Sequence, residues 1–298
     1  MLGVSLGNVS LLRLDRSGGL APGNKSFKLH TYFAQAKQLG AARLVSFGGA
    51  WSNHLHALAA LGHQHGIETV GIVRGEANES ETAMLKDAVC WGMRLIRVSR
   101  NEYRRRHDPD YQQSLRDQFA PCLLIPEGGA SVAGMQGCRE IGEIVGRVAP
   151  QARRIIVPVG TGTTLAGLAC SVDGDCELLG ISALKGAADL ERRVGELLRV
   201  AAPASVANWS VRHDFHCGGF ARVNAELRDF ILAFEAVQRV ELEPVYTAKM
   251  LFAIHQLIAQ GEWRPDTPVL AIHTGGLQGR RGYPWLARSS ISAAVRSF

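Results

Sequence analysis

No apolar run in this sequence approaches the roughly 20 residues that cross a bilayer, and the mean hydropathy is +0.01. No membrane-spanning helix and no membrane partner are expected. The opening MLGVSLGNVSLLRLDR has no basic region, long apolar core or small-residue cleavage site of a secretory signal, so the expected location is cytoplasmic. Cys90, Cys122, Cys138, Cys170, Cys176 and Cys217 include no C-x-x-C pair. That argues against a zinc knuckle, a thioredoxin-type motif or a disulfide framework, and reduced core cysteines are expected. His54 and His56, like His63 and His65, are two apart and point to different sides of a helix, with no HExxH motif beside them. No metal site is expected. There is no repeat of fixed period and no low-complexity linker.

The 298 residues are 46% hydrophobic, enough for one large core or two smaller ones, and 33 basic against 27 acidic side chains leave a net charge of +6. The basic residues are dispersed. Their one dense run, Arg104-Arg105-Arg106, sits beside Glu102 and Asp108 and reads as a solvated helix face, so no nucleic-acid partner is expected.

Short β-rich apolar runs alternate with helical patterns nearly throughout, the sign of right-handed βαβ units and parallel sheets in an α/β fold. Strands are predicted at Arg43–Phe47, Thr69–Val73, Arg94–Val98, Cys122–Pro126, Arg154–Val159, Glu177–Ala183, Trp209–His213 and Val269–Thr274. Helices are predicted at Ser26–Leu39, Ser52–His65, Glu79–Trp91, Val132–Val148, Thr163–Ser171, Leu190–Val200, Arg222–Gln238 and Tyr246–Gln260. Residues 31–125 form a complete run of such units and are expected as a small α/β domain inserted into a larger one of residues 1–30 and 126–298.

Three segments carry candidate chemistry. Gly160-Thr161-Gly162-Thr163-Thr164 follows an apolar strand and opens a helix. Glycines let the backbone approach an anion and threonine hydroxyls add donors, so a phosphate is the natural guest, although a plain tight turn reads the same way. The spacing is neither a Gly-Lys-Ser/Thr P-loop nor G-x-G-x-x-G, which makes ATP and NAD poor fits. In Gly23-Asn24-Lys25-Ser26-Phe27-Lys28, Lys25 lies at a helix start, where the dipole and partial burial favour a neutral, imine-forming amine. Lys28 is expected to face elsewhere. In Gly48-Gly49-Ala50-Trp51-Ser52-Asn53-His54, Ser52 suits either a helix cap or a carboxylate site.

Taken in order, GNKxxKL, GGxxSNH, GTGTTLAG, EPVYTAK and HTGG resemble the pyridoxal-phosphate enzymes of the tryptophan-synthase-β fold (fold type II), and within them the 1-aminocyclopropane-1-carboxylate deaminase and D-cysteine desulfhydrase group. The likeness runs from about Leu12 to Gly279. It implies pyridoxal 5'-phosphate as cofactor, Lys25 as its Schiff-base lysine and residues 160–164 as its phosphate loop. Asn53 matches the residue that bonds the ring hydroxyl, and Ser52 the carboxylate-binding, nucleophilic serine. His54 follows as in desulfhydrase-like members, Tyr246 is the active-site tyrosine, and Thr247 faces the pyridine nitrogen. A homodimer is implied.

Deaminases of this group carry a glutamate at the position of Thr247 and a leucine at that of Thr274, whereas desulfhydrase-like members carry hydroxyl residues. A carboxylate keeps the pyridine nitrogen protonated and the ring a strong electron sink, which opening a cyclopropane needs more than expelling a thiolate does. The expected function is therefore a lyase on a small amino acid, with D-cysteine β-elimination to pyruvate, sulfide and ammonia leading and aminocyclopropane deamination second. Departures from the group place Phe220 where a second tyrosine is usual, Trp51 where a glutamine is usual in the substrate pocket, and Pro22 before Gly23-Asn24. The lead-in to the lysine is also some twenty residues shorter than in the group. These features support a third reading, a cofactor-binding homologue without turnover.

Overall fold

The computed structural model describes residues 6–76 and 80–287. In chain order the elements are β1 (Val9–Arg13), α1 (Asn24–Leu39), β2 (Arg43–Gly49), α2 (Asn53–His65), β3 (Glu68–Arg74), α3 (Ala83–Cys90), β4 (Arg94–Val98), α4 (Arg100–Arg104), α5 (Pro109–Gln118), β5 (Cys122–Ile125) and α6 (Val132–Val148). They continue as β6 (Arg154–Val159), α7 (Thr163–Ala169), β7 (Glu177–Ser182), α8 (Leu190–Ala201), β8 (Asn208–Arg212), α9 (Ala225–Gln238), α10 (Thr247–Ala259), β9 (Val269–His273) and α11 (Pro284–Ala287). The elements β4, β6 and α6 occupy the residues that the alternation predicts. The predicted helix at 79–91 begins at Ala83, and Glu79 lies outside the described residues. The chain forms two compact units: Gly18–Cys138, and the residues up to Ser17 together with those from Arg139 onward.

In the unit 18–138, four parallel strands run in the order β4-β3-β2-β5, with Val45 opposite both Val70 and Leu124. Strands buried on both faces read as continuous apolar runs, as β2 and β3 do. One face packs Leu44 and Val73 against Leu29 and Phe33 of α1, Leu55 and Leu58 of α2 and Leu85 of α3. The other packs Phe47, Val70 and Ile72 against Tyr103 of α4 and Tyr111 and Leu115 of α5. This unit is wider than the expected 31–125, because α1 belongs to its core and the start of α6 closes on α1. A Cβ on Gly137 would meet the carbonyl oxygen of Phe27 at 2.1 Å.

Four elements escape the sequence pattern, among them the single turn α11. In α5 only Tyr111 and Leu115 are buried, too narrow a stripe to register. Its real signal is the start, where the Asp108 carboxylate accepts the Asp110 N–H at 2.9 Å and Pro109 opens the first turn. Helix α4 is a single short turn capped by Ser99, and β1 is an edge strand paired only with β9. Arg104 and Arg105 are exposed as expected, while Arg106 pairs with Glu127 at 2.7 Å and lies over the Tyr103 ring. Cys90 is exposed, which corrects the expectation that every cysteine is a core residue. It falls on the outer side of α3.

In the other unit five parallel strands run in the order β1-β9-β6-β7-β8, with Leu11 opposite Ala271 and Ile156 opposite both Leu179 and Ala271. Its core joins Ile156 and Ile181 to Phe230, Ile231 and Phe234 of α9 and to Met250, Leu251 and Ile254 of α10. A buried ion pair secures the end of α9. The Arg280 guanidinium donates to both Glu235 carboxylate oxygens and to the Leu242 carbonyl, and Glu235 also accepts the Leu242 N–H at 2.8 Å. Among the described residues no helix is long and apolar enough to cross a membrane.

Candidate active site

Strand β6 delivers the chain to Gly160-Thr161-Gly162, and α7 begins at Thr163. Gly162 is left-handed, with φ +88°, and a Cβ there would lie 2.6 Å from Val194 Cγ2. A Cβ on Gly160 would lie 3.1 Å from Cε1 of Tyr246 and 3.2 Å from its hydroxyl, so the glycine keeps the loop backbone open beneath that ring. Thr161 and Thr163 share a hydroxyl hydrogen bond of 2.9 Å, and Thr163 and Thr164 are buried. The first N–H groups of a helix have no acceptor within it. Buried hydroxyls and a side-chain-free backbone at such a start form a cradle for an anion.

In the same unit Tyr246 and Thr247 open α10. Glu243, 1% exposed, holds the turn: its carboxylate accepts the Val245 and Tyr246 N–H groups, both at 2.8 Å. The Thr247 hydroxyl accepts the Glu243 N–H at 2.8 Å and donates to the Glu243 carbonyl at 3.1 Å. Thr247 is 0% exposed, and its hydroxyl hydrogen is directed at the backbone of its own turn. Tyr246 meets Phe220 edge to face, with ring centroids 6.2 Å apart, so an exposed phenylalanine flanks the tyrosine. Thr274 is buried at the end of β9, followed by two left-handed glycines.

The remaining candidates belong to the unit 18–138. Gly23, with φ +114°, precedes α1 and places Lys25 in its first turn, where the Lys25 ammonium donates to Asn24 Oδ1 at 3.4 Å. Ser52 caps α2, accepting the Leu55 N–H at 3.2 Å. Gly48 makes room for it, since a Cβ there would lie 2.5 Å from Ser52 Oγ. Asn53 is the first residue of α2 and Trp51 is 40% exposed. His54 is 2% exposed. Burial, and then the charges of Lys25 and Lys28, push its pKa down to about 3.

Lys28 corrects the expectation that it faces elsewhere. Residues three apart lie on one helix face, and both lysines act on His54. Lys28 is buried, with Nζ 3.5 Å from the Gly128 carbonyl, and burial lowers its pKa. Sequence reasoning also missed Glu243, Lys249 and the pair Asp15–His273. Lys249, 0% exposed, donates to the carbonyls of Gly219 at 2.7 Å and Ala183 at 3.3 Å, and burial lowers its pKa to about 8. His273 Nδ1 lies 3.1 Å from Asp15, which Arg13 also holds. The available signal was charge inside apolar runs: a lysine in TAKMLFAI and a histidine closing VLAIH.

The family model for "Pyridoxal-phosphate dependent enzyme" matches residues 9–275. A Pyrococcus horikoshii protein with the provisional name 1-aminocyclopropane-1-carboxylate deaminase is 25% identical over 283 residues, covering 93% of this chain and 86% of its own. A D-cysteine desulfhydrase of Salmonella choleraesuis is 28% identical over 278 residues, covering 85% and 82%. The crystal structure of an ACC deaminase homologue superposes with a TM-score of 0.79 at 24% identity, over 95% of this chain and 89% of that one. Serine racemase from Dictyostelium discoideum shares the fold at a TM-score of 0.64 and 16% identity, over 91% and 87%.

Proposed function

Because the chain belongs to the pyridoxal-phosphate dependent enzyme family, with relatives of the aminocyclopropane deaminase and D-cysteine desulfhydrase type, we propose that it is a lyase that converts D-cysteine and water to pyruvate, sulfide and ammonia. The observation that carries the desulfhydrase reading is the pair Thr247 and Thr274, hydroxyl residues where the resemblance gives the deaminases a glutamate and a leucine. Both are buried.

The residues fit the cofactor. The glycines at 160 and 162, at positions where a Cβ would meet Tyr246 and Val194, suit a phosphate drawn close to the backbone, and Thr161, Thr163 and Thr164 add hydroxyls. Pyridoxal phosphate, when bound, supplies the electron-accepting ring that makes a substrate α-proton acidic. Lys25 supplies the amine that holds the cofactor and then removes the α-proton. Ser52, whose oxygen already accepts from Leu55, presents its O–H to the substrate carboxylate. The Asn53 amide serves the ring hydroxyl. Tyr246, backed by Phe220, walls the pocket against water, and Trp51 and His54 border the substrate. The active form in this reading is a homodimer, which sedimentation of the full chain tests.

The second reading, deamination of 1-aminocyclopropane-1-carboxylate, draws its support from the Pyrococcus relative's name and from the ACC deaminase homologue structure. Both chemistries use the same lysine and phosphate loop. A panel of D-cysteine, L-cysteine and aminocyclopropane carboxylate, assayed for sulfide and keto acid, separates them. Sulfide from D-cysteine is expected. Keto acid from the cyclopropane with no sulfide from D-cysteine reverses the order of the two readings.

A further inference from the structure

Lys249 is a charged group where the packing asks for an apolar one. It lies on α10 among Ala248, Met250, Leu251 and Phe252, all buried, and is itself fully buried. Burial strips the ammonium of its hydration, whereas an aliphatic side chain would fill the same space without that cost. What the amine gains is two acceptors, the Gly219 carbonyl at 2.7 Å and the Ala183 carbonyl at 3.3 Å.

The Gly219 carbonyl belongs to the peptide group that carries the nitrogen of Phe220. Around it Cys217, Gly218, Gly219 and Ala221 all have φ between +50° and +110°. Two of the four are not glycine, and side-chain-bearing residues hold that conformation only where the surroundings impose it. The turn bonds from Gly219 N–H to the His216 carbonyl and from Arg222 N–H to the Gly219 carbonyl are internal to the loop. Two ties come from outside: Lys249 at the Gly219 carbonyl, and the Tyr283 hydroxyl, which donates to the Ala221 carbonyl at 3.2 Å. Phe220 stands between the two tied carbonyls, half exposed, with its ring edge to face on Tyr246. The Tyr246 ring in turn lies over Gly160. Lys249 extends from the helix that Tyr246 opens, so one helix carries both the tyrosine and the amine that fixes the tyrosine's neighbour.

We propose that Lys249 is a positioning residue: through the Gly219 carbonyl it holds Phe220 against Tyr246 and so fixes the aromatic wall over the glycine loop. The consequence for turnover rests on the reading of Tyr246 given above. The tie itself does not.

The test uses the full chain. In the cofactor-free parent, the Lys249 amine protons should exchange slowly and show NMR contacts to the backbone protons of Gly219 and Phe220. A freely exchanging amine overturns the proposal without any variant. With 4-fluorophenylalanine labelling, the Phe220 signal is the one of ten that is lost in Phe220→Leu. Lys249→Met fills the slot without a donor, and it should move that signal as Tyr246→Leu does while the signals of Phe230 and Phe234 stay in place. An unmoved Phe220 signal, or a shift of all three, overturns the proposal. In the loaded enzyme Phe220→Ala and Lys249→Met should each raise KM for D-cysteine about three- to tenfold with kcat little changed, and the double variant should go no further, because both changes remove one contact. Effects that multiply in the double variant overturn the proposal. A Phe220 signal that moves in Lys249→Met while KM stays unchanged in all three variants overturns instead the reading of Tyr246 as a wall of the pocket.

Discussion

Thr247 and Glu243 exchange two hydrogen bonds across the turn that leads into α10, the Thr247 hydroxyl accepting from the Glu243 N–H at 2.8 Å and donating to its carbonyl at 3.1 Å. Thr247→Val keeps the shape but takes this acceptor from the Glu243 N–H, while the Glu243 carbonyl still accepts the Ala248 N–H at 3.0 Å, so stability should fall by about 1–3 kcal/mol in urea unfolding while Thr247→Ser stays near the parent. Thr247→Glu brings a carboxylate into a fully buried position and, if the proposed cofactor placement holds, should destabilise the cofactor-free protein more than the loaded one, since the ring nitrogen would then partner the carboxylate. Combined with Thr274→Leu it should raise keto-acid release from aminocyclopropane carboxylate relative to sulfide release from D-cysteine. Equal melting losses with and without cofactor would place the ring nitrogen away from residue 247.

The glycine loop separates cofactor affinity from folding. Gly160→Ala pushes first on the Tyr246 ring, at 3.1 Å, and should lower cofactor retention on dialysis with little change in melting. Gly162→Ala adds a side chain at φ +88° against Val194 and should cost about 1–3 kcal/mol of stability. Thr164→Ala should weaken cofactor binding roughly ten- to a hundredfold, the value of one hydrogen bond to a charged group.

Lys25→Ala should abolish both turnover and the long-wavelength cofactor absorbance. Lys28→Met should keep the absorbance, because the side chain is already buried and of similar length. It should also raise the His54 pKa, since it removes one of the two lysine charges that hold it low. A histidine titration unmoved by Lys28→Met would contradict the shared face of α1.

Lys249 sets a pH signature. Burial lowers its folded pKa from the ordinary 10.5 to about 8, so between these limits the unfolded chain binds more protons than the folded one and stability rises with pH from this group. Below about 8 its unfavourable contribution is complete, and above 10.5 it vanishes. Relative to Lys249→Met, the parent should gain stability in urea melts as pH rises from 8 to 10. Parallel curves for the two proteins would show that Lys249 titrates normally.

The alternation that predicts two parallel sheets is legible because strands covered on both faces must be apolar throughout, as Arg154–Val159 and Arg43–Gly49 are. The glycine-threonine loop and the lysine segment are legible for a related reason: glycines beside hydroxyl residues at a strand end, and a lysine after Gly-Asn, stand out along the chain. Helix α5 escaped because it buries only Tyr111 and Leu115, and strand β1 because none of its five residues is fully buried. The unit boundary moved from residue 31 to Gly18 because periodicity marks a helix without saying which sheet it covers.

The sequence by itself determined the fold class, the family and the residue types of the site, since each depends on order along the chain: apolar period, glycine spacing, a lysine after Gly-Asn. Only the tertiary structure decided that Lys28 shares the face of Lys25, that Glu243 clamps the turn behind Tyr246, and that the buried His54 ring meets the Ser46 hydroxyl. Burial and hydrogen-bond partners come from chain segments distant in sequence, such as Ser46 and Ile125 around His54. No local pattern encodes which acceptor a buried donor will find.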